Sequence, residues 1–568
     1  MFRVSVVLAF SMLDIAVPSG ARAAAPAPNV PANAPTPGQI QSTLPVAPPA
    51  PQFKSAPLTA TPPPTAPADI APGGPTVVAQ RFVIEGNSVY ADAVLQPLIA
   101  DSLGKPLTLA ELYQLADVLT QYYQSHGYLV ARATIPEQQL DQGTVKFQIV
   151  EGRVGKLHVE GNTRVRSATV LKQASDLKPG QVFQDDTLNR SILLVNDLAG
   201  VQAQAVLEPG EEFGTADVQY KVQDGPAYTG QVSVDNYGTA SVGRSRLNAS
   251  VSFPDLSGFG DTLGAYLTHS EHNLLNFGGL SYSLPVGAPG GSLSANYNQS
   301  EYRVLAGPPL DKLGLSGNSK NASIGYQYPW IRGREENLYW TVSFQHGQGV
   351  SLSHVYPSEK EAELSNNNLN TVMLMGFYNR SDEDGSNWTL GGGITTNFRR
   401  DHGNDSGAEF ARIQANAAYS TPFSGDWSQW SFSARSEGVW SPDPLSDAEK
   451  YSLGGPDSVR AFESAEVRGD EGLFASVEVQ RSLAPAWPLA VGWFVDSGKV
   501  WTRSFQIAPG PLSPSDKESL SSAGAELVFQ PSSKSWEARL QWAYPVGGYK
   551  PAAGTDGGKI WFTLGTNF

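Results

Sequence analysis

Cysteine is missing from all 568 residues, which excludes disulfide frameworks, thiolate zinc sites, iron–sulfur clusters and cysteine nucleophiles. Charge is scarce: Asp, Glu, Lys and Arg make up 16% of the chain, against about 25% in an ordinary soluble domain. Basic residues number 39 against 54 acidic ones, and the net charge of −15 lacks the basic footprint that a nucleic-acid binder needs. No stretch of 18 apolar residues occurs, so the sequence offers no helical membrane span. There are only seven His, and no His-Glu-x-x-His, Gly-x-Ser-x-Gly or Gly-x-x-x-x-Gly-Lys-Ser/Thr. The common zinc-hydrolase, serine-hydrolase and ATP-binding signatures are therefore missing. No catalytic residue, metal site or cofactor is expected. What is abundant is glycine, at 57 residues, and aromatics, at 10%. Little charge, much Gly and many aromatics without a hydrophobic helix describe a β-rich chain, and a transmembrane β-barrel is one way to reach that composition.

The first 23 residues read as a secretory signal. Arg3 precedes an apolar stretch from Val4 to Val17, broken by Asp14, and Ala21-x-Ala23 has the small-residue cleavage pattern. Residues 24–79 form a Pro-rich linker, with 16 prolines between positions 26 and 75 and only Lys54 and Asp69 charged. Such a segment builds no core of its own. Residues 38–44, between Pro37 and Pro45, form one island that could make a short helix and would need a cavity to hold it.

Residues 80–153 and 154–225 repeat one plan. The first opens with Arg81-Phe82-Val83-Ile84-Glu85-Gly86-Asn87 and the second with Lys156-Leu157-His158-Val159-Glu160-Gly161-Asn162. They close alike, on Val150-Glu151-Gly152 and on Val222-Gln223-Asp224-Gly225. Between these ends Leu112, Leu115, Ala116, Leu119 and Tyr122 fall at helical spacing, as do Leu188, Ile192, Val195 and Leu198. Alternating strands follow, Thr144–Ile149 and Asp217–Val222. Each module is thus expected as a small α+β domain. These openings and closings, with the Tyr123…Gly127-Tyr128 turn, resemble POTRA domains. A small sheet with free edges can accept an extended guest strand through main-chain hydrogen bonds.

Residues 226–568 show short segments of period two separated by Gly, Asn, Asp and Ser. Leu247, Ala249, Val251 and Phe253 alternate with Asn248, Ser250 and Ser252; Ala538, Leu540 and Trp542 alternate with Glu537, Arg539 and Gln541. One apolar and one polar face per strand suits a barrel with lipid outside and a polar lumen. At roughly 20 residues per strand and connection this length predicts about 16 antiparallel strands. Trp330, Trp340, Trp388, Trp427 and Trp430 are expected at the membrane interfaces. The last segment, Lys559 to Phe568, alternates and ends on an aromatic. Its terminal Phe568 resembles the recognition signal of bacterial outer-membrane barrels.

Three barrel motifs sharpen the reading: Tyr328-Pro329-Trp330-Ile331-Arg332-Gly333-Arg334-Glu335-Glu336-Asn337-Leu338-Tyr339-Trp340, Leu453-Gly454-Gly455-Pro456-Asp457-Ser458-Val459-Arg460-Ala461-Phe462, and Phe494-Val495-Asp496-Ser497-Gly498-Lys499-Val500-Trp501. After two tandem modules they resemble the two-partner secretion transporters of the hemolysin secretion/activation type. The resemblance covers residues 80–568. It implies an outer-membrane translocator of a Gram-negative bacterium with its POTRA domains in the periplasm. Such a translocator recognises a large unfolded exoprotein by that partner's N-terminal secretion domain and passes it through the pore without ATP. It also implies a lumen loop tipped by Val459, Arg460, Ala461 and Phe462, with Asp496 as ion-pair partner of Arg460. The usual third tip residue is Gly; Ala461 resists positive φ, so a different bend is expected here. Residues 38–44 stand where that family carries a pore-plugging helix. Asp470 is expected only to make a turn. The chain is expected to contact outer-membrane lipid, to work as a monomer and to bind no nucleic acid. The competing readings are an outer-membrane assembly factor of the same superfamily, an outer-membrane enzyme and a plain porin.

Overall fold

A computed structural model describes residues 39–40, 43, 58–59, 75–139, 143–305, 313–354, 361–397, 409–484, 487–502, 517–531, 535–549 and 558–568. The expected signal segment 1–23 and most of the Pro-rich stretch 24–74 lie outside the described residues. Two short pieces of that stretch are described: Gln39 and Ile40, which are helical, with Thr43 close behind, and β1 (Leu58–Thr59).

The first module comprises β2 (Thr76–Val78), β3 (Arg81–Glu85), α1 (Asp92–Ile99), β4 (Pro106–Thr108), α2 (Leu109–Ser125), β5 (Arg132–Thr134) and β6 (Thr144–Val150). Its main sheet runs β3-β6-β5. Leu112, Ala116, Leu119 and Tyr123 on α2 bury against Phe82, Val145 and Phe147. Thr108 and Glu111 cap α2 reciprocally, which fixes its start. The second module comprises β7 (Arg153–Glu160), α3 (Ser167–Gln173), α4 (Asp185–Asn196), β8 (Val201–Pro209) and β9 (Thr215–Asp224), around a core of Leu188, Ile192, Val195, Val218 and Tyr220. Its sheet runs β1-β8-β9-β7, so the two-residue β1 lies parallel on the β8 edge.

The shared plan of the modules has a physical cause. Gly86 and Gly161 adopt φ of +85° and +80°, where a side chain is strained, and each packs its Cα against a strand carbonyl, of Ile149 and of Val222. The closing carboxylates then receive the loop that follows. Glu151 accepts from the amide of Val89 at 2.7 Å, from the Ser88 hydroxyl and from the Tyr123 hydroxyl at 3.1 Å. Asp224 accepts from the amides of Thr163 and Arg164 at 3.2 and 3.1 Å. Burial, with the Glu151 carboxylate beside it, holds the Tyr123 hydroxyl well above the usual phenol range. Gly161→Ala is expected to lower the second module's stability by about 2 kcal/mol or more, because it adds a left-handed alanine and a Cβ 2.5 Å from the Val222 oxygen. Gly180→Ala, in the same module at φ +81° with open space around it, supplies the control, since it carries the backbone strain alone. Hydrogen exchange of β7 and β9 in the full chain reads the difference; equal effects at both sites would refute the packing argument.

The barrel strands are β10 (Thr229–Asp235), β11 (Arg246–Pro254), β12 (Thr262–Ser270), β13 (Leu275–Pro285), β14 (Ser292–Arg303), β15 (Leu315–Arg332), β16 (Glu336–His354), β17 (Glu361–Ser381), β18 (Asn387–Asn397), β19 (Ala411–Pro422) and β20 (Trp430–Trp440). After an inserted hairpin, β21 (Tyr451–Leu453) with β22 (Val467–Gly469), come β23 (Glu471–Ala484), β24 (Trp487–Trp501), β25 (Lys517–Phe529), β26 (Trp536–Pro545) and β27 (Lys559–Asn567). Sixteen strands, all but β21 and β22, form one closed antiparallel barrel. The seam is β10 against β27, where Gly230 and Phe568 exchange main-chain hydrogen bonds of 2.9 and 3.0 Å. Leu247, Leu280, Ile324, Leu390, Val477 and Leu540 are exposed on the outer face, as a lipid-facing band requires. Trp330, Trp388 and Trp427 are exposed, and Trp427 lies 6.0 Å from Trp430, ring to ring.

Candidate functional site, the lumen loop and its anchor

The chain between β20 and β23 folds back inside the barrel. The β21–β22 hairpin and the segment between its strands bury Leu453, Val459, Phe462 and Val467 against Phe474, Phe494 and Leu520 of the inner wall. The wall is shaped to take it. A Cβ at Gly498 would lie 2.8 Å from the Leu453 side chain, and one at Gly472 would collide with Tyr451. The glycine of the Asp496-Ser497-Gly498 motif therefore provides room rather than a turn. Asp496 itself lies in the interior of β24, opposite Ser476 of β23 and Ser522 of β25.

Arg460 and Asp496 meet there. The guanidinium donates from Nε to Asp496 Oδ2 at 3.0 Å and from Nη2 to Oδ1 at 2.8 Å, a two-pronged pair. The Arg460 amide, at 3.2 Å, and the hydroxyls of Ser476 and Ser522, at 2.8 and 2.9 Å, also donate to Asp496. The Asp496 carboxylate is fully buried, and burial of that depth is tolerated only with this degree of hydrogen bonding. The guanidinium carbon lies 3.3 Å from the centre of the Phe494 ring. The motif's other tip residues, Val459, Ala461 and Phe462, are buried too, and Phe462 lies 5.6 Å from the Tyr549 ring. Ala461 is not among the residues of positive φ. The left-handed positions of this loop are Gly454, Gly455 and Ala465, so the bend is made elsewhere than at the third tip residue. Asp470 sits between β22 and β23 and accepts from the Leu445 amide at 2.8 Å.

Several partners were not foreseen. Arg460 Nη1 donates to Glu478 at 3.0 Å and lies 3.7 Å from Glu526, so one guanidinium faces three carboxylates. Trp561, fully buried, donates its indole N–H to the Arg460 carbonyl at 2.6 Å. Glu463 accepts from Lys559 at 2.8 Å and from Arg244 at 2.9 Å. The signal available in the sequence was an acidic residue at an inward position of a spanning strand, as at Glu478 and Glu526.

Gln39 touches the same loop, and Ile40 and Thr43 pack beside it on the barrel. Gln39 Nε2 donates to the Ala465 carbonyl at 3.0 Å, and Ile40 is buried among Val242, Leu275 and Tyr302. Arg246, paired with Asp235 at 2.8 Å, donates to the Thr43 carbonyl at 2.8 Å. At the other end of the barrel, the Tyr328–Trp340 motif forms the β15–β16 hairpin and docks the second module. Arg332 grips Asp197 with two contacts of 2.8 Å, Arg190 donates to the Pro329 carbonyl at 3.1 Å and Arg334 to Asn189 at 2.9 Å. Phe568 is exposed on the outside, its ring 6.5 Å from Tyr228. No group of three or more metal-ligating side chains occurs among the described residues.

Residues 214–515 match the family model described as haemolysin secretion/activation protein ShlB/FhaC/HecB, and residues 77–152 match the ShlB-type POTRA domain. The chain is 26% identical to the heme/hemopexin transporter protein HuxB of Haemophilus influenzae strain 86-028NP, over 79% of this chain and 80% of that one. It is 26% identical to the outer membrane transporter CdiB of Escherichia coli, over 76% and 73%, and 24% identical to the hemolysin transporter protein ShlB of Serratia marcescens, over 71% and 73%. Among solved structures, CdiB from Escherichia coli superposes with a TM-score of 0.70 at 21% identity, covering 89% of this chain and 93% of that one. CdiB from Acinetobacter baumannii gives 0.61 at 18% identity, covering 90% and 95%.

Proposed function

The chain belongs to the ShlB/FhaC/HecB haemolysin secretion/activation family, and from that premise we propose that it exports one large exoprotein, held unfolded by the periplasmic modules, through a pore that its own lumen loop and residues 38–44 obstruct at rest. It is an outer-membrane transporter of two-partner secretion, with its POTRA domains on the periplasmic side. The observation that carries the finer reading is the buried Arg460–Asp496 pair, which fixes a loop across the interior of a barrel otherwise wide enough for an extended chain. The guest strand adds by main-chain hydrogen bonds to a module edge. On the second module the β8 edge already carries β1, so a guest takes the β7 edge or displaces β1. Docking of that module through Arg332 and Asp197 brings the guest to the pore mouth. Energy comes from folding outside rather than from nucleotide hydrolysis, and the chain works as a monomer.

The test compares culture-supernatant proteins with and without the gene. Loss of one or two large secreted proteins with an unchanged outer-membrane profile is expected. An unchanged supernatant together with depletion of many outer-membrane proteins would replace this reading by an assembly factor.

A further inference from the structure

The inner wall of the barrel is divided by charge. Residues directly opposite one another on neighbouring strands share a face. The inward register therefore passes from Ser281 to Asn296, from Asn296 to Ser323, from Ser323 to Gln345 and from Gln345 to Thr371. Followed from β11 to β18, below the row of Thr268, Ser300 and Ser319, this register holds Ser, Thr, Asn, Gln and Gly with a few aromatic and apolar side chains, and its one charge, Arg332 at the end of β15, is paired with Asp197 of the second module. The opposite wall differs. In the same register β19 to β27 carry Arg412, Glu437, Glu478, Asp496, Glu526 and Lys559, among others. The lumen loop packs on that charged side. A cavity of about 1270 Å³ opens along the uncharged side, and its floor is the second module: Leu194, Asp197 and Leu198 line it together with Ser281, Asn296 and Ser323.

An extended polypeptide brings one N–H and one C=O per residue into the pore. Hydroxyls and amides can exchange hydrogen bonds with either group, so each step along such a wall breaks and remakes similar contacts. Fixed charges in a confined lumen make deeper wells and higher barriers. Passage requires binding favourable enough to enter and weak enough to leave. We propose that the transported chain runs along the uncharged β11–β16 wall, entering between that wall and the second module, and that the wall fits an extended polypeptide of small, uncharged polar residues. This rests on the transporter reading and adds its path and its chemical preference.

The absence of cysteine makes an introduced one unique. Asn296→Cys places a thiol on the uncharged wall and Ser433→Cys on the charged one, each in the full-length protein reconstituted in liposomes. The probe is a Ser/Thr/Asn/Gly peptide of about 30 residues with one cysteine activated as a mixed disulfide, so that capture is thiol–disulfide exchange releasing the small thiol; it is long enough when extended to span the bilayer. Disulfide capture of the peptide is divided by the rate with a small neutral thiol reagent, so that accessibility cancels. Capture at position 296 is expected to be about tenfold faster than at 433. Equal rates, or faster capture at 433, would overturn the path. A Lys-rich version of the peptide is expected to lose the preference for 296; if it keeps it in full, the chemical preference is wrong. Failure here leaves the supernatant comparison untouched, whereas failure of that comparison removes the transporter reading whatever the capture ratio.

Discussion

Arg460→Ala is expected to release the lumen loop and give the largest functional loss of any single change in the barrel. Asp496 would keep the hydroxyls of Ser476 and Ser522 but lose its countercharge, and Glu478 and Glu526 would stand beside it with none. Removing one partner of a buried pair costs about 3–5 kcal/mol, so the docked loop loses about two to three and a half orders of magnitude in population, at about 1.4 kcal/mol per tenfold. Arg460→Lys keeps the charge and loses the planar fork, and an intermediate defect is expected. The charge swap, Arg460→Asp with Asp496→Arg, rescues only in part, because the new aspartate faces Glu478 and Glu526. The discriminating variant is Arg460→Ala with Asp496→Asn, which removes both charges and is expected to be less damaging than Arg460→Ala alone. Protease access to residues 451–469 and export of the exoprotein are the two readouts. Strict additivity of the two single defects would sink direct coupling between Arg460 and Asp496.

How much of this was legible in the sequence differs from level to level. The two modules announced themselves because Gly86 and Gly161 answer the same local requirement, a left-handed residue packed on a carbonyl, and Glu151 and Asp224 close the same loop. Such local rules repeat with the repeat. The barrel was legible because period two is imposed along each strand by lipid on one side and lumen on the other, and Leu247 to Phe253 states it within seven residues. Register irregularities shift the parity, as between Pro329 and Ile331 or between Ser482 and Ala484, and no local signal marked them. The site was half legible. Motifs pointed to Arg460 and Asp496, but Glu478, Glu526 and Trp561 reach the same spot from strands that only barrel closure brings together. Ala461 drew attention as a departure at the tip, whereas the left-handed alanine is Ala465, a position no spacing rule singled out. The pairing of Leu58 and Thr59 with β8 uses main-chain groups alone, so side-chain patterns in a Pro-rich stretch could not reveal it.

Arg246→Ala is expected to loosen residues 39–43 and raise the open probability of the purified pore in planar bilayers. Three facts set the size of the effect. The Arg246 guanidinium is buried, it donates to the Thr43 carbonyl, and Thr43 is tied back to Ile40 through its hydroxyl at 2.7 Å. A hydrogen bond from a charged donor contributes about 1.5–3 kcal/mol, which converts to roughly a tenfold to hundredfold rise in the undocked state. The variant also strips Asp235 of its cation, although Asn248, at 2.7 Å, and the Tyr237 amide, at 2.8 Å, still donate to it. Ile40→Ala separates the two effects, because it leaves Arg246 and Asp235 intact. Ile40 is buried among Val242, Leu275 and Tyr302, and truncating a buried isoleucine costs about 2–5 kcal/mol. Both variants are then expected to open the pore to a similar degree. Opening by Arg246→Ala alone would trace the effect to the barrel wall around Asp235, and opening by neither would show that residues 39–43 do not obstruct the lumen.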